Sequence, residues 1–171
     1  MGQYHCLVNL DKKQVVHPNC IGNGLKLRRQ IGGPYTTATA LVLLLAASCK
    51  HGGRGGGDFH SGHPLVGSWA GDRIAFLGDY TRSDDLPGLD AALIYEQCHG
   101  ACPPGRKGER PEEWQPWTDL SPLVREMMAA EFGIRYENGR WLENERQDNH
   151  TAVPPLCLDM IIPGANASTH P

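Results

Sequence analysis

Four groupings of side chains in this sequence could do chemistry. The first is Asp58, His60 and His63, which follow the glycine run Gly52-Gly53-Arg54-Gly55-Gly56-Gly57. Glycine lets a backbone approach a ligand closely, and His, Arg and Asp are the side chains that hold phosphate, move protons or bind a metal. Asp58 and His60 are therefore the candidate catalytic, proton-handling residues, and Arg54 is a candidate anion ligand. The spacing Asp-x-His-x-x-His lacks the rigid helix that fixes the ligands of His-Glu-x-x-His zinc sites, so no metal is expected here.

The second grouping is Trp69-Ala70-Gly71-Asp72-Arg73. An indole offers a stacking platform, and an arginine beside a strand mouth can clamp an anion bidentately. Two readings stand side by side: Trp69, Asp72 and Arg73 line a ligand pocket, or Asp72 and Arg73 pair with neighbours and anchor the preceding loop.

The third lies at a helix start, where Gly32, Gly33, Thr36 and Thr37 could present amides and hydroxyls to a phosphate, with Lys26, Arg28 and Arg29 just upstream. The pattern has neither the Gly-Lys-Ser/Thr of a P-loop nor the glycine spacing of a dinucleotide fold. A glycine turn followed by a threonine cap is the favoured reading of the two. The fourth, Cys98-His99-Gly100-Ala101-Cys102, is half a zinc site with no second cysteine pair to complete it, and reads as free thiols. Cys49, Cys20 or His51 could complete such a site, and the sequence leaves the cofactor, zinc included, open.

The elements that must position these groups follow from periodicity. Tyr4, Cys6, Val8 and Leu10 alternate with His5 and Asn9, the period of a half-buried strand, and residues 14–17 return after the turn Asp11-Lys12-Lys13. Residues 21–30 read as loop or weak strand, because Gly22 and Gly24 interrupt them. Residues 38–48 make a helix that is apolar nearly all round and so should be covered on most sides. Ile74-Ala75-Phe76-Leu77 has the pattern of a fully buried central strand. Asp72 and Asp79, at its two ends, lie roughly 23 Å apart on a straight strand and cannot serve one reacting atom.

Further on, residues 85–97 can form a short helix, and residues 98–117 are an irregular excursion of Pro, Gly and charge. Ser121-Pro122, with Gly133 beyond, marks a helix over 122–132. Residues 134–137 and 140–143 flank Asn138-Gly139, the signature of a hairpin with a two-residue type I′ turn.

Composition is that of a globular chain: 171 residues, net charge −3, with 21 glycines and 13 prolines that point to long loops. The expected architecture is α+β, a mostly antiparallel sheet on a buried Ala/Leu helix. A single domain over 1–145 is followed by a polar and Pro-rich tail, 146–171, that docks as one strand at most. The longest apolar run, 38–47, is about half of the ~20 residues a bilayer span needs. The N-terminal residues show no secretory pattern, so a cytoplasmic location with reduced cysteines is expected. Whole-chain charge gives no footprint for duplex nucleic acid or a membrane surface.

One resemblance is carried by Met1-Gly2-Gln3-Tyr4, Asn9-Leu10-Asp11-Lys12, His17-Pro18, Gly22-Asn23-Gly24-Leu25-Lys26-Leu27, Arg54-Gly55-Gly56-Gly57-Asp58, Val66-Gly67-Ser68-Trp69-Ala70-Gly71-Asp72-Arg73-Ile74 and Gly78-Asp79-Tyr80. Over this N-terminal half the chain resembles a family of small bacterial hypothetical proteins. The resemblance implies no activity and assigns no catalytic residue. Two functional expectations follow from the residues themselves. One is binding of a small anionic or phosphate-bearing ligand in a glycine-loop pocket, with hydrolytic chemistry conceivable at Asp58 or His60. The other is a non-enzymatic interaction or regulatory protein, of phage, mobile-element or immunity type, meeting a protein partner through Trp114, Trp117, Tyr136 and Trp141.

Overall fold

The computed structural model describes residues 4–52, 55, 58–99 and 117–143, and the fold is α+β. The opening hairpin forms as its alternation requires. β1 (His5–Asn9) pairs antiparallel with β2 (Gln14–Val16), Leu7 opposite Val16. β3 (Ile74–Gly78) pairs antiparallel with the other edge of β1, and β4 (Thr118–Asp119) runs parallel to β2, giving the order β3-β1-β2-β4.

Two sequence expectations are corrected here. β1 is buried on both faces, so it takes the centre of the sheet. β3 is an edge strand whose first three residues are only partly buried. An apolar run of four does not distinguish a central from an edge strand, because the flanking polar residues are the same in both.

Each face of the sheet carries its own core. Leu7 and Val16 pack with Leu43, Leu44, Trp69 and Met127 on one side, while Cys6 and Val8 pack with Leu77, Ala91 and Ile94 on the other. The first core is closed by α2 (Thr37–Leu45) and α4 (Ser121–Phe132), the second by α3 (Ala91–Cys98). Asp90 caps α3 by accepting the amide of Leu93. Gly133 ends α4 with φ +63°, the left-handed conformation that glycine adopts without a Cβ penalty. The helix expected over 122–132 starts one residue earlier, at Ser121, whose buried hydroxyl accepts the amide of His17 just after β2. The hairpin β5 (Ile134–Glu137) and β6 (Arg140–Glu143) forms with Asn138 and Gly139 both at positive φ, as a type I′ turn demands.

The stretch expected as loop or weak strand is the clearest correction, because residues 27–31 form α1 (Leu27–Ile31). Its tie to the sheet is Gln30, fully buried, whose side-chain amide donates to the carbonyls of His5 and Leu25 at 3.0 and 2.9 Å. Between Gly24 and Gly32 there is no helix breaker, and Leu, Arg and Gln all favour helix. Among the described residues no helix is long and apolar enough to cross a membrane.

At the junction of β2, α3 and β4, the partly buried His17 ring meets His99 edge-on at 5.2 Å. Burial holds the His17 imidazole below its ordinary range; Asp119 opposes this, and His99 reinforces it. Native His17 thus resists a proton that the unfolded chain accepts at about pH 6.5. Stability is expected to be full above that pH and to fall as the pH drops through it. Urea unfolding of His17→Asn should show a shallower decline between about pH 7 and 5 than the parent.

Candidate functional site

The sequence-selected residues do not converge on one pocket, and the reasons are local. Trp69 is fully buried in the first core, with its indole N–H donating to Gln14 Oε1 at 2.7 Å. This corrects the expectation of a stacking platform, since a ring without exposed surface offers no ligand a face. Asp72 accepts Asn9 Nδ2 at 2.7 Å and pairs with Lys12 Nζ at 2.5 Å, while Lys12 also donates to the carbonyl of Ser68. Arg73 gives its backbone amide and its guanidinium to Asp11, the latter at 2.7 Å. Asn9, wholly buried, accepts the amides of Asp11 and Lys12 with its remaining oxygen.

This network is the anchoring alternative: it locks the β1–β2 turn to the segment that enters β3. Arg73 bonding holds the Asp11 carboxyl below its usual range, and the Lys12 and Asn9 hydrogen bonds do the same for Asp72. Both acids stay ionised at neutral pH, so neither serves as a proton donor there.

At the start of α2 the threonine donors are engaged within the chain. Thr36 and Thr39 form a reciprocal capping box, and Asn23 Oδ1 accepts both the amide of Thr37, at 2.5 Å, and its hydroxyl, at 3.0 Å. Gly32 and Gly33 form the exposed turn before it. The Asn of Gly22-Asn23-Gly24 is thus a helix cap supplied from fourteen residues upstream.

Arg54 lies outside the described residues. Asp58 accepts the amide of Gly55 at 2.7 Å. The amides of His60 and Ser61 donate to Glu131 on α4, at 2.9 and 2.8 Å. Burial pushes the Glu131 carboxyl up, but the Ser61 and His60 amides outweigh it and the net displacement is downward. Residues 58–61 therefore lie against the C-terminal end of α4, with Phe59 against the first core. Asp72 and Arg73 are held instead by the β1–β2 turn at the entrance of β3.

The aromatic group is also redistributed. Trp114 falls outside the described residues. Trp117 is buried in the second core and donates to Gln97 at 3.1 Å. Trp141 donates to the carbonyl of Ile21 at 2.9 Å and stacks edge-on with Tyr136, which carries the Arg125 guanidinium at 5.0 Å. These rings secure the β5–β6 hairpin to the body. Cys98 is buried beside Cys6, whose hydrogen bond, together with burial, drives the Cys98 thiol far up. Cys102 lies outside the described residues, and among those described no three His, Cys, Asp or Glu side chains are grouped as a metal site.

What the structure does bring together was missed by motif reading. Ile31, Val42, Phe59 and Phe132, with Thr36 and Ala38 beneath, line an open hollow of about 340 Å³ between α1, α2 and the end of α4. Ile31 is 65% exposed and Val42 55% exposed. Leu27 and Leu45 continue the same apolar faces, one turn from Ile31 and Val42. The signal was present in α2: a helix apolar nearly all round should be covered on most sides, and here one side is left open at Val42 and Leu45. Gly33 and Thr36, chosen as anion ligands, border this hollow instead.

No family model, no curated protein and no solved structure matches the chain.

Proposed function

We propose that the protein is a binding protein that receives the apolar side chain of a protein partner in the hollow between α1 and α2. The observation that carries this reading is the grouping of solvent-exposed aliphatic side chains, Ile31 and Val42, around one concavity. Contiguous exposed apolar surface costs free energy in water, and in a soluble domain it marks a contact surface. The shape supports a protein segment over a small molecule. Small-molecule pockets run from roughly 300 to 1,000 Å³ and enclose most of their ligand, whereas this hollow is open and at the lower end of that range. It fits one or two anchoring side chains. The interaction expectation is thereby kept, with its surface moved from the aromatic residues to α1 and α2.

The test compares the parent chain, Ile31→Asn, Val42→Asn and Leu123→Asn as bait in its own cells, with bound proteins quantified by mass spectrometry. Leu123 is an exposed leucine on α4, 43% exposed, and not among the residues lining the hollow. One stoichiometric companion is expected with the parent and with Leu123→Asn, and about tenfold or greater loss with the two hollow variants, the scale of a ≥1.4 kcal/mol anchor residue. Equal recovery across all four baits would contradict the proposal.

A further inference from the structure

We infer that the partner segment is acidic, carrying Asp or Glu beside its apolar anchor; this rests on the hollow being a docking surface. The charge distribution of the chain supplies the argument. From Lys12 through Gly57 the sequence holds seven of the 16 Lys and Arg and none of the 19 Asp and Glu, although the whole chain is net −3. Of the three helices that border the hollow, α1 and α2 lie in this acid-free stretch, whereas α4 carries Glu126 and Glu131. Lys26 and Arg28 are exposed and make no ion pair among the described residues, in contrast to Lys12, which is held by Asp72. Arg28 sits three residues before Ile31, so the two are neighbours on the surface of α1.

Two acids adjoin lining residues, Asp58 next to Phe59 and Glu131 next to Phe132; Asp58 accepts the amide of Gly55, and Glu131 accepts those of His60 and Ser61. Both carboxylates keep their charge and border the hollow beside Phe59 and Phe132, so an acidic segment meets positive charge on the α1 side, where Lys26 and Arg28 stand. Such complementarity steers encounter and penalises partners of the wrong sign. A concave hollow receives a protruding side chain, which favours a protein segment over the planar surface of an anionic membrane.

The experiment selects peptides from a random displayed library on the full chain. Each selected peptide is then measured against Val42→Asn, against Lys26→Glu/Arg28→Glu, and against Arg82→Glu, an exposed arginine away from the hollow. Expected are peptides with Asp or Glu beside Leu, Ile or Phe, lost with Val42→Asn. Their binding should weaken at least about tenfold with the double reversal and be unchanged with Arg82→Glu. Peptides that need Val42 but carry no acid and ignore the double reversal would overturn the acidic partner and leave the docking reading standing. Failure to obtain any Val42-dependent peptide would overturn both. Three other results would assign the hollow to a different occupant and also overturn the inference. These are Val42-dependent dimerisation in sedimentation equilibrium, Val42-dependent binding to phosphatidylserine vesicles, and Val42-dependent binding of a synthetic peptide of residues 154–163.

Discussion

Replacing Trp69 with alanine is expected to lower the free energy of unfolding by about 3–5 kcal/mol, the range for truncating a large buried aromatic. The side chain has no exposed surface, packs in the first core, and satisfies its one donor on Gln14. Deleting it leaves a cavity between the sheet and α2 that close-packed neighbours fill only in part. Domains of this size are stable by roughly 5–15 kcal/mol, so the variant retains a fraction of that margin. Urea unfolding followed by far-ultraviolet circular dichroism checks it. A variant as stable as its parent would show that the indole is not a core element.

The second large effect is expected at Gly67. Its φ is +69°, and a Cβ placed there would lie 2.8 Å from the carbonyl oxygen of Ala46 and 3.0 Å from the Cα of Ala47. The close approach has a cause: the amides of Gly67 and Trp69 donate to the carbonyls of Leu43 and Leu44 in the last turn of α2, where helix carbonyls lack their full set of intrahelical partners. Both obstructing atoms are backbone, so nothing can rotate aside. Gly67→Ala combines left-handed strain of about 1–2 kcal/mol with overpacking of about 1–3 kcal/mol, for a loss of about 2–5 kcal/mol. Gly71→Ala is the control, since its φ is also positive but no atom lies within 4 Å of the added carbon. It should cost only the conformational part, about 1–2 kcal/mol. Thermal unfolding of the pair separates strain from collision, and equal losses would mean that the α2 contact is not tight.

Local patterns in the sequence foretold local structure. Alternation fixed the β1–β2 hairpin, Asn138-Gly139 the β5–β6 turn, and Gly133 the end of α4, because each depends on backbone preferences of neighbouring residues. Long-range partners were not foretold. Trp69, Asp72 and Arg73 look like a ligand site when read as one segment. Only the fold brings Asp11, Lys12 and Gln14 to them across more than fifty positions of chain. Likewise Asn23 and Thr37, fourteen residues apart, complete a cap that in sequence resembles an empty anion site.

The proposed interaction surface escaped for the opposite reason. Ile31, Val42 and Phe132 are unremarkable apolar residues, and what distinguishes them is the absence of neighbours on one side in the fold. Several segments of the quoted resemblance have scaffold roles. Asn9-Leu10-Asp11-Lys12 and Gly67-Ser68-Trp69 through Arg73 meet in one network, and Gly22-Asn23-Gly24 caps α2.

The central claim is that α1 and α2 present a recognition surface around Val42. A photoreactive p-benzoylphenylalanine installed at position 42, and separately at position 123, tests it inside the cells that make the protein. Irradiation should yield one discrete crosslinked product from position 42 and none from position 123. The same smear or the same silence from both positions would contradict it.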